Sequence, residues 1–228
     1  MRIELVGGMG LGKTTLCKVF EQIGFNCIYE DLGDNPFIAD FYADPESYRF
    51  PCQLWFLAAK FSELKKKMIN DQMNVIDQAV LNCKAYSNIL FKEKDPEALH
   101  IIHQCFDYID RQFDKPDVMI HLKCSPEVQK KRIEMRNRSF EQKVELDYLY
   151  ALQREIGTLV NEAKADGLTV IDIDTEEVFL PGNRLFAEDL ARDIAERCGL
   201  YIQAPQVTKP VNSGKNQRAF AFAFMEDA

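Results

Sequence analysis

Short apolar runs bounded by glycine or charge alternate along the chain with longer segments in which apolar residues recur every three to four positions. "RIELVG" (2–7) reads as a first strand. The following "TTLCKVFEQIG" carries Leu16, Val19, Phe20 and Ile23 on one helical face and closes at Gly24. "NCIYE" (26–30) reads as a second strand, "PCQLWFLAAKFSELKKKM" (51–68) as a long amphipathic helix, and "MNVID" (73–77) as a buried strand ending in a carboxylate. "DVMIHL" (117–122) and "LTVIDI" (168–173) complete five strands. "SPEVQKKRIEMRNR" opens a helix with Ser125 as N-cap and Pro126 in its first turn, and "NRLFAEDLARDIAERC" (183–198) is a closing helix ended by Gly199. Alternation of this kind implies an α/β fold: a parallel five-stranded sheet in the middle of three layers, with helices on both faces. Residues 78–100 leave open whether a helix-loop-helix follows the third strand.

The last 26 residues differ. "QAPQVTKPVNSGKNQ" (203–217) is rich in Pro, Gly, Asn and Lys and reads as a linker, followed by "RAFAFAFMEDA" with Phe220, Phe222 and Phe224 alternating with alanine. The division expected is therefore a domain over 1–202 and a linker with a Phe-rich tail over 203–228.

Bulk composition narrows the function classes. The 228 residues are 46% hydrophobic and 28% charged, enough for a sizeable core, and the net charge of −8 disfavours nucleic acid and anionic membrane as partners. Seven cysteines without a CxxC spacing read as reduced thiols, and the three histidines do not form a ligand set, so no structural metal is expected. The first strand begins at the second residue and no apolar run is long enough to span a bilayer, which leads to the expectation of a cytoplasmic protein.

The chemistry concentrates between the first strand and the first helix. Gly7, Gly8, Met9, Gly10, Leu11, Gly12, Lys13 and Thr14 satisfy G-x-x-x-x-G-K-[ST]. Such glycines let the backbone wind round an anion with its N–H groups turned inward, and the helix beginning there directs its positive dipole end at the same point. Lys13 is placed to reach the β- and γ-phosphates of ATP, and the Thr14 hydroxyl to bind Mg2+, with Thr15 beside them. Asp77, at the carboxyl end of its strand, suits the same metal. Glu30, at the end of the second strand, suits a base that takes a proton from an attacking hydroxyl. Lys131, Arg132, Arg136 and Arg138 cluster, and Arg132 and Arg136 share a helical face from which cations would stabilise charge on a transferred phosphoryl group.

Together these pieces resemble the deoxyribonucleoside kinase family over roughly residues 1–200. The resemblance rests on the phosphate loop and on "YEDLGDNPF", with Asp31 where proline is common. It extends to "FYADPESYRFPCQLWFL", with Tyr42 and Gln53 at the family's spacing. It ends on "RIEMRNRSFEQKVELDYL", where Arg132, Arg136, Arg138, Glu141 and Tyr148 fall in register. It implies a P-loop kinase fold with an Arg-rich lid over about 132–141, and ATP and Mg2+ as cofactors. Glu30 becomes the base on a sugar 5′-hydroxyl, Tyr42 and Glu141 the partners of the 3′-hydroxyl, and Gln53 a two-pronged partner of the base. Trp55 and Phe56 are candidate stacking residues, "VIDIDTEE" falls where relatives hold the donor's adenine, and Arg136 and Arg138 join the donor phosphates. Relatives pair through helices, so a homodimer is expected.

Three positions depart from the family pattern. Its acidic-Arg pair is here Asp77-Gln78, a loss of charge worth about 3–4 kcal/mol of transition-state stabilisation. Its base-facing aspartate is Cys83, and the usual arginine partner is Lys60. The implied function is ATP-dependent phosphorylation of a deoxyribonucleoside 5′-hydroxyl. The alternatives are a P-loop kinase for another acceptor, such as a nucleoside monophosphate or modified nucleoside, and a nucleotide-binding protein without turnover. On this reading Gln78→Arg should raise the rate or leave it unchanged.

Overall fold

A computed structural model describes residues 1–30, 35–137, 144–197 and 199. Its five strands are β1 (Arg2–Val6), β2 (Asn26–Ile28), β3 (Asn74–Ile76), β4 (Val118–Lys123) and β5 (Thr169–Asp174), all parallel in the order β2-β3-β1-β4-β5. Each parallel neighbour demands a crossover, and helices supply every one. They are α1 (Lys13–Gln22), α2 (Ile38–Ala43), α3 (Pro45–Lys67), α4 (Val80–Phe91), α5 (Pro96–Gln112), α6 (Pro126–Arg136), α7 (Leu146–Ala165) and α8 (Arg184–Arg197), with a 3-10 turn over Leu180–Gly182.

Side chains alternate across β1. Ile3 and Leu5 enter a core with Leu16 and Phe20 of α1, Ile120 and Leu122 of β4, and Ala187 and Ile194 of α8. Val6 faces the opposite layer, where Ala85, Met119, Leu152 and Ile156 pack. A third cluster joins Ile28 and Ile76 to Leu57, Leu64, Phe91, Ile102 and Phe106 of α3, α4 and α5. The expected layers are all present.

Several boundaries move for local reasons. The long helix starts at Pro45, six residues before the expected start at Pro51, because the Asp44 carboxylate accepts from the Ser47 N–H and Pro45 fits the first turn; Pro51 lies inside the helix. Asp95 and Pro96 start α5 in the same way, so a helix-loop-helix does follow β3. The strand β2 ends at Ile28, leaving Tyr29 and Glu30 beyond the ladder. Helix α7 was not expected from the sequence, although Leu149, Leu152, Ile156 and Val160 carry its spacing and are buried. Ser125 caps α6 as expected, its hydroxyl accepting from the Val128 N–H. Arg138 and Glu141 of the expected lid, and the tail over 203–228, lie outside the described residues.

Candidate active site

The loop from Gly7 to Gly12 leaves the carboxyl end of β1, the central strand, and turns directly into α1. Chain order reverses about this strand, and sheets of this type bind ligands at such a crevice. Gly7 has φ 145°, and a Cβ there would sit 2.5 Å from the Leu122 carbonyl oxygen. Gly12, at φ 88°, makes the final turn into the helix in a left-handed conformation. The Lys13 ammonium folds back over the loop and donates to the carbonyls of Gly7 at 3.0 Å and Gly8 at 2.7 Å. Three cationic or dipolar contributors thus meet at one point: the lysine, the loop amides and the amino end of α1.

Two buried side chains fasten the loop from outside. Asn82 of α4 brackets Gly7, its Oδ1 accepting from the Gly7 N–H at 3.2 Å and its Nδ2 donating to the Gly7 carbonyl at 3.0 Å. Gln129 of α6 donates to the Met9 carbonyl at 2.7 Å. Neither stands in the glycine-lysine pattern, and the sequence carries no signal for them, because they come from helices far along the chain.

Asp77 follows β3 at the same end of the sheet. Its Oδ2 accepts from the Thr14 hydroxyl at 2.7 Å, while Oδ1 is buried with no hydrogen-bond partner among the described residues. A buried carboxylate oxygen left open beside a threonine hydroxyl offers two of the oxygen donors that Mg2+ takes, with water and phosphate oxygens left to complete its octahedral shell, so these residues fit Mg2+. Gln78, where relatives are expected to carry arginine, is buried and accepts from Asn82 through its Oε1 at 2.9 Å. The residue that departs from the family pattern is therefore bonded to the clamp on Gly7.

Glu30 lies beyond β2 on the other side of the crevice. Burial raises its carboxyl above the ordinary range; Lys60 and Lys13 pull it back, and Asp77 and Glu63 push it up again. The base candidate and the phosphate-loop lysine therefore act on each other across one space. Lys60 is buried and pairs with Glu63 at 3.3 Å. Burial pulls its ammonium down, but the neighbouring Cys83, Glu30 and Glu63 outweigh that and leave it raised. The Cys83 thiol is pushed up to about 12, by burial first and by Glu30 next, against Lys60. Glu63 belongs to this cluster and was missed in the sequence, where it reads as one more charge on a polar helix end.

Gln53, buried on α3, donates its Nε2 to the Cys83 carbonyl at 3.2 Å, so one prong of the expected two-pronged amide is committed to α4. Tyr42 ends α2 in an exposed position and raises the Tyr148 phenol across the gap to α7, after burial. Trp55 and Phe56 pack edge to face at 5.6 Å. Arg132 departs from its expected place in a mobile cationic face. Its guanidinium is buried, donating to Thr175 Oγ1 at 3.1 Å and to the carbonyls of Thr175 at 2.5 Å and Val178 at 3.1 Å, beneath the Phe179 ring. It pins the segment after β5, while Arg136, one turn on, is only half-buried.

A family model described as deoxynucleoside kinase matches residues 3–198, nearly the whole of the described chain. The chain belongs to the deoxynucleoside kinase family. The kinase is 29% identical over 200 residues to a deoxyguanosine kinase of Bacillus subtilis, covering 85% of this chain and 96% of the relative. It is 31% identical over 153 residues to a deoxyguanosine kinase of Lactobacillus johnsonii, covering 61% of this chain and 66% of that one. A solved deoxyadenosine kinase from M. mycoides superimposes with a TM-score of 0.73 at 19% identity, over 87% of this chain and all of the other, which supports the fold. The enzyme is a phosphotransferase of P-loop kinase fold that acts on deoxynucleosides.

Proposed function

We propose that this kinase passes the terminal phosphoryl group of ATP to the 5′-hydroxyl of a purine deoxynucleoside, with Glu30 as the base. The observation that carries the reading is the Thr14–Asp77 contact beside the Lys13 ammonium at the carboxyl end of the sheet, with Glu30 beyond β2 within electrostatic reach of Lys13 and Asp77. Lys13 and the loop amides hold the donor phosphates, and Thr14 and Asp77 hold Mg2+. Bound there, Mg2+ neutralises charge on the phosphates. Glu30, raised in pKa yet flanked by two ammonium groups, accepts the hydroxyl proton as the new bond forms. Arg136 is assigned to the transferred phosphate, and Arg132 to holding the segment after β5. Tyr42 is assigned to the sugar and Gln53 to the base, together with Glu141 and Arg138 in their expected roles.

The purine preference rests on the relatives: most of those matched are named deoxyguanosine or deoxyadenosine kinases, and one is named a deoxyadenosine/deoxycytidine kinase. A cytoplasmic location and a homodimer complete the proposal. The thiol state of the six described cysteines accords with the first, and among the described residues no helix is long and apolar enough to cross a membrane. Light scattering of the purified protein tests the second.

The deciding experiment incubates the protein with Mg-ATP and a panel of deoxynucleosides, ribonucleosides and nucleoside monophosphates, and follows ADP. Turnover greatest on deoxyguanosine or deoxyadenosine is expected. Turnover confined to monophosphates, or nucleotide binding without any turnover, overturns the proposal.

A further inference from the structure

We propose that Gln129 is a positioning residue for the phosphate loop, setting the direction of the Met9–Gly10 peptide, and that Gln153 holds its amide in the one orientation able to do so. The proposal rests on the reading of Gly7–Thr14 as the cradle of the donor phosphates.

Gln129 stands in the first turns of α6 and is fully buried. Its Nε2 donates to the Met9 carbonyl at 2.7 Å. A carbonyl only accepts, so the amide edge against it must be the NH2, and Oε1 is turned the other way. That oxygen accepts from Gln153 Nε2 of α7 at 2.7 Å, and Gln153 gives its other hydrogen to the Cys124 carbonyl at 2.8 Å. Each amide nitrogen in the series meets an acceptor. Reversing either amide would set oxygen against oxygen in a buried space.

The peptide plane carries the effect to the ligand. In a trans peptide the carbonyl of one residue and the N–H of the next point in opposite directions, and the described chain has no cis bond. Holding the Met9 carbonyl toward α6 therefore directs the Gly10 N–H away from α6. An anion in such a loop is held by N–H groups of fixed direction, and fixing them beforehand removes the cost of ordering them on binding.

A second feature is independent of these hydrogen bonds. Position 8 is an open position of the glycine-lysine pattern, and Gly8 has no positive φ that would require glycine. A Cβ built there would lie 2.5 Å from Gln129 Nε2. Glycine at position 8 leaves the space through which the amide reaches Met9.

The test compares Gln129→Leu, Gln129→Glu, Gln153→Leu, Gly8→Ala and the Gln129→Leu/Gln153→Leu double variant with the parent. Affinity for mant-ATP is measured by fluorescence, and KM separately for ATP and for the best deoxynucleoside of the panel. Gln129→Leu should weaken mant-ATP about tenfold while the deoxynucleoside KM stays within about twofold. Gln129→Glu, similar in shape but acceptor-only, should be no better. Gly8→Ala, which displaces the amide without altering it, should act in the same direction. Gln153→Leu should have a smaller effect that disappears in the double variant. Unchanged nucleotide affinity in folded Gln129→Leu, an equal rise in both KM values, or additivity in the double variant overturns the proposal. Should Gln129→Leu not fold, Gln153→Leu and Gly8→Ala decide by the same readings. A parent protein that binds no mant-ATP overturns the kinase reading and this inference together; binding lost in Lys13→Ala but intact in Gln129→Leu overturns the inference alone.

Discussion

The Thr14 hydroxyl donates to Asp77 Oδ2 at 2.7 Å, and the second oxygen of that carboxylate is buried with no hydrogen-bond partner among the described residues. Thr14 stands in the first turn of α1 and Asp77 follows β3, 63 positions apart, and the contact leaves one open acceptor beside a hydroxyl. The proposed divalent cation would satisfy that acceptor. Asp77→Asn should therefore lower kcat/KM by about a hundredfold or more. It should also raise the Mg2+ concentration needed for half-maximal rate, read by titrating Mg2+ at fixed ATP. An unchanged Mg2+ requirement would remove Asp77 from the metal.

Glu30 couples activity to stability in opposite senses. In its proposed role as the base it must be ionised, so kcat/KM should fall on acidification through a pKa above the ordinary carboxylate value of about 4.3. Glu30→Gln should lose about two to four orders of magnitude in kcat. The stability sign is the reverse. A carboxyl whose folded pKa exceeds its unfolded one binds its proton more tightly when folded, so it favours folding as pH falls through that interval and opposes it above. Lys60, Lys13, Asp77, Glu63 and Cys83 surround it, and the net effect is upward. At neutral pH Glu30→Gln should thus raise the thermal midpoint, and a lower midpoint would contradict the environment described.

Lys60 and Glu63 form a pair whose side chains are 3% and 13% exposed. Removing Glu63 leaves the buried Lys60 ammonium without its ion-pair partner, with Glu30 the remaining carboxylate that acts on it. Glu63→Ala should cost about 3 kcal/mol by urea denaturation, with little dependence on salt because the pair is shielded from counter-ions. A loss below about 1 kcal/mol, as for exposed pairs, would mean that Glu30 alone balances the ammonium.

Gln78→Arg should not restore the family's arginine function. Asn82 donates to Gln78 Oε1 and holds Gly7 at the same time. Arginine offers no acceptor, so Asn82 would lose that partner and a guanidinium would enter a buried space. The expected outcome is weaker ATP binding and a stability loss of about 1–3 kcal/mol. This reverses the expectation from the sequence, and a faster enzyme with unchanged stability would restore it.

The alternation of short apolar runs with helical segments was enough to foresee five parallel strands between helical layers, because burial on both sheet faces imposes that pattern on the chain itself. The phosphate loop was equally legible. Its requirement is local: glycines that allow the turn, then Lys13 and Thr14 at the start of a helix. Glu30, Asp77 and Gln53 were nameable as strand-end or helix residues, whereas their mutual distances were not.

Other features depended on elements remote in sequence. Arg132 reads in its own helix as a cation for the transferred phosphoryl group, and only the segment after β5 makes it a buried anchor. Gln78 reads as the loss of a charge until Asn82 is seen beside it, and Glu63 as surface until Lys60 is found buried. Gln129 and Gln153, 24 positions apart on two helices, meet end to end behind a loop more than a hundred residues away. Periodicity and short motifs record what a segment needs of its own backbone, so the sequence by itself determined the sheet, the anion loop and the class of chemistry. A hydrogen bond between side chains of separate elements leaves no periodic trace. The side-chain contacts behind the loop, the charge balance around Glu30 and the burial of Arg132 were decided only when the layers packed.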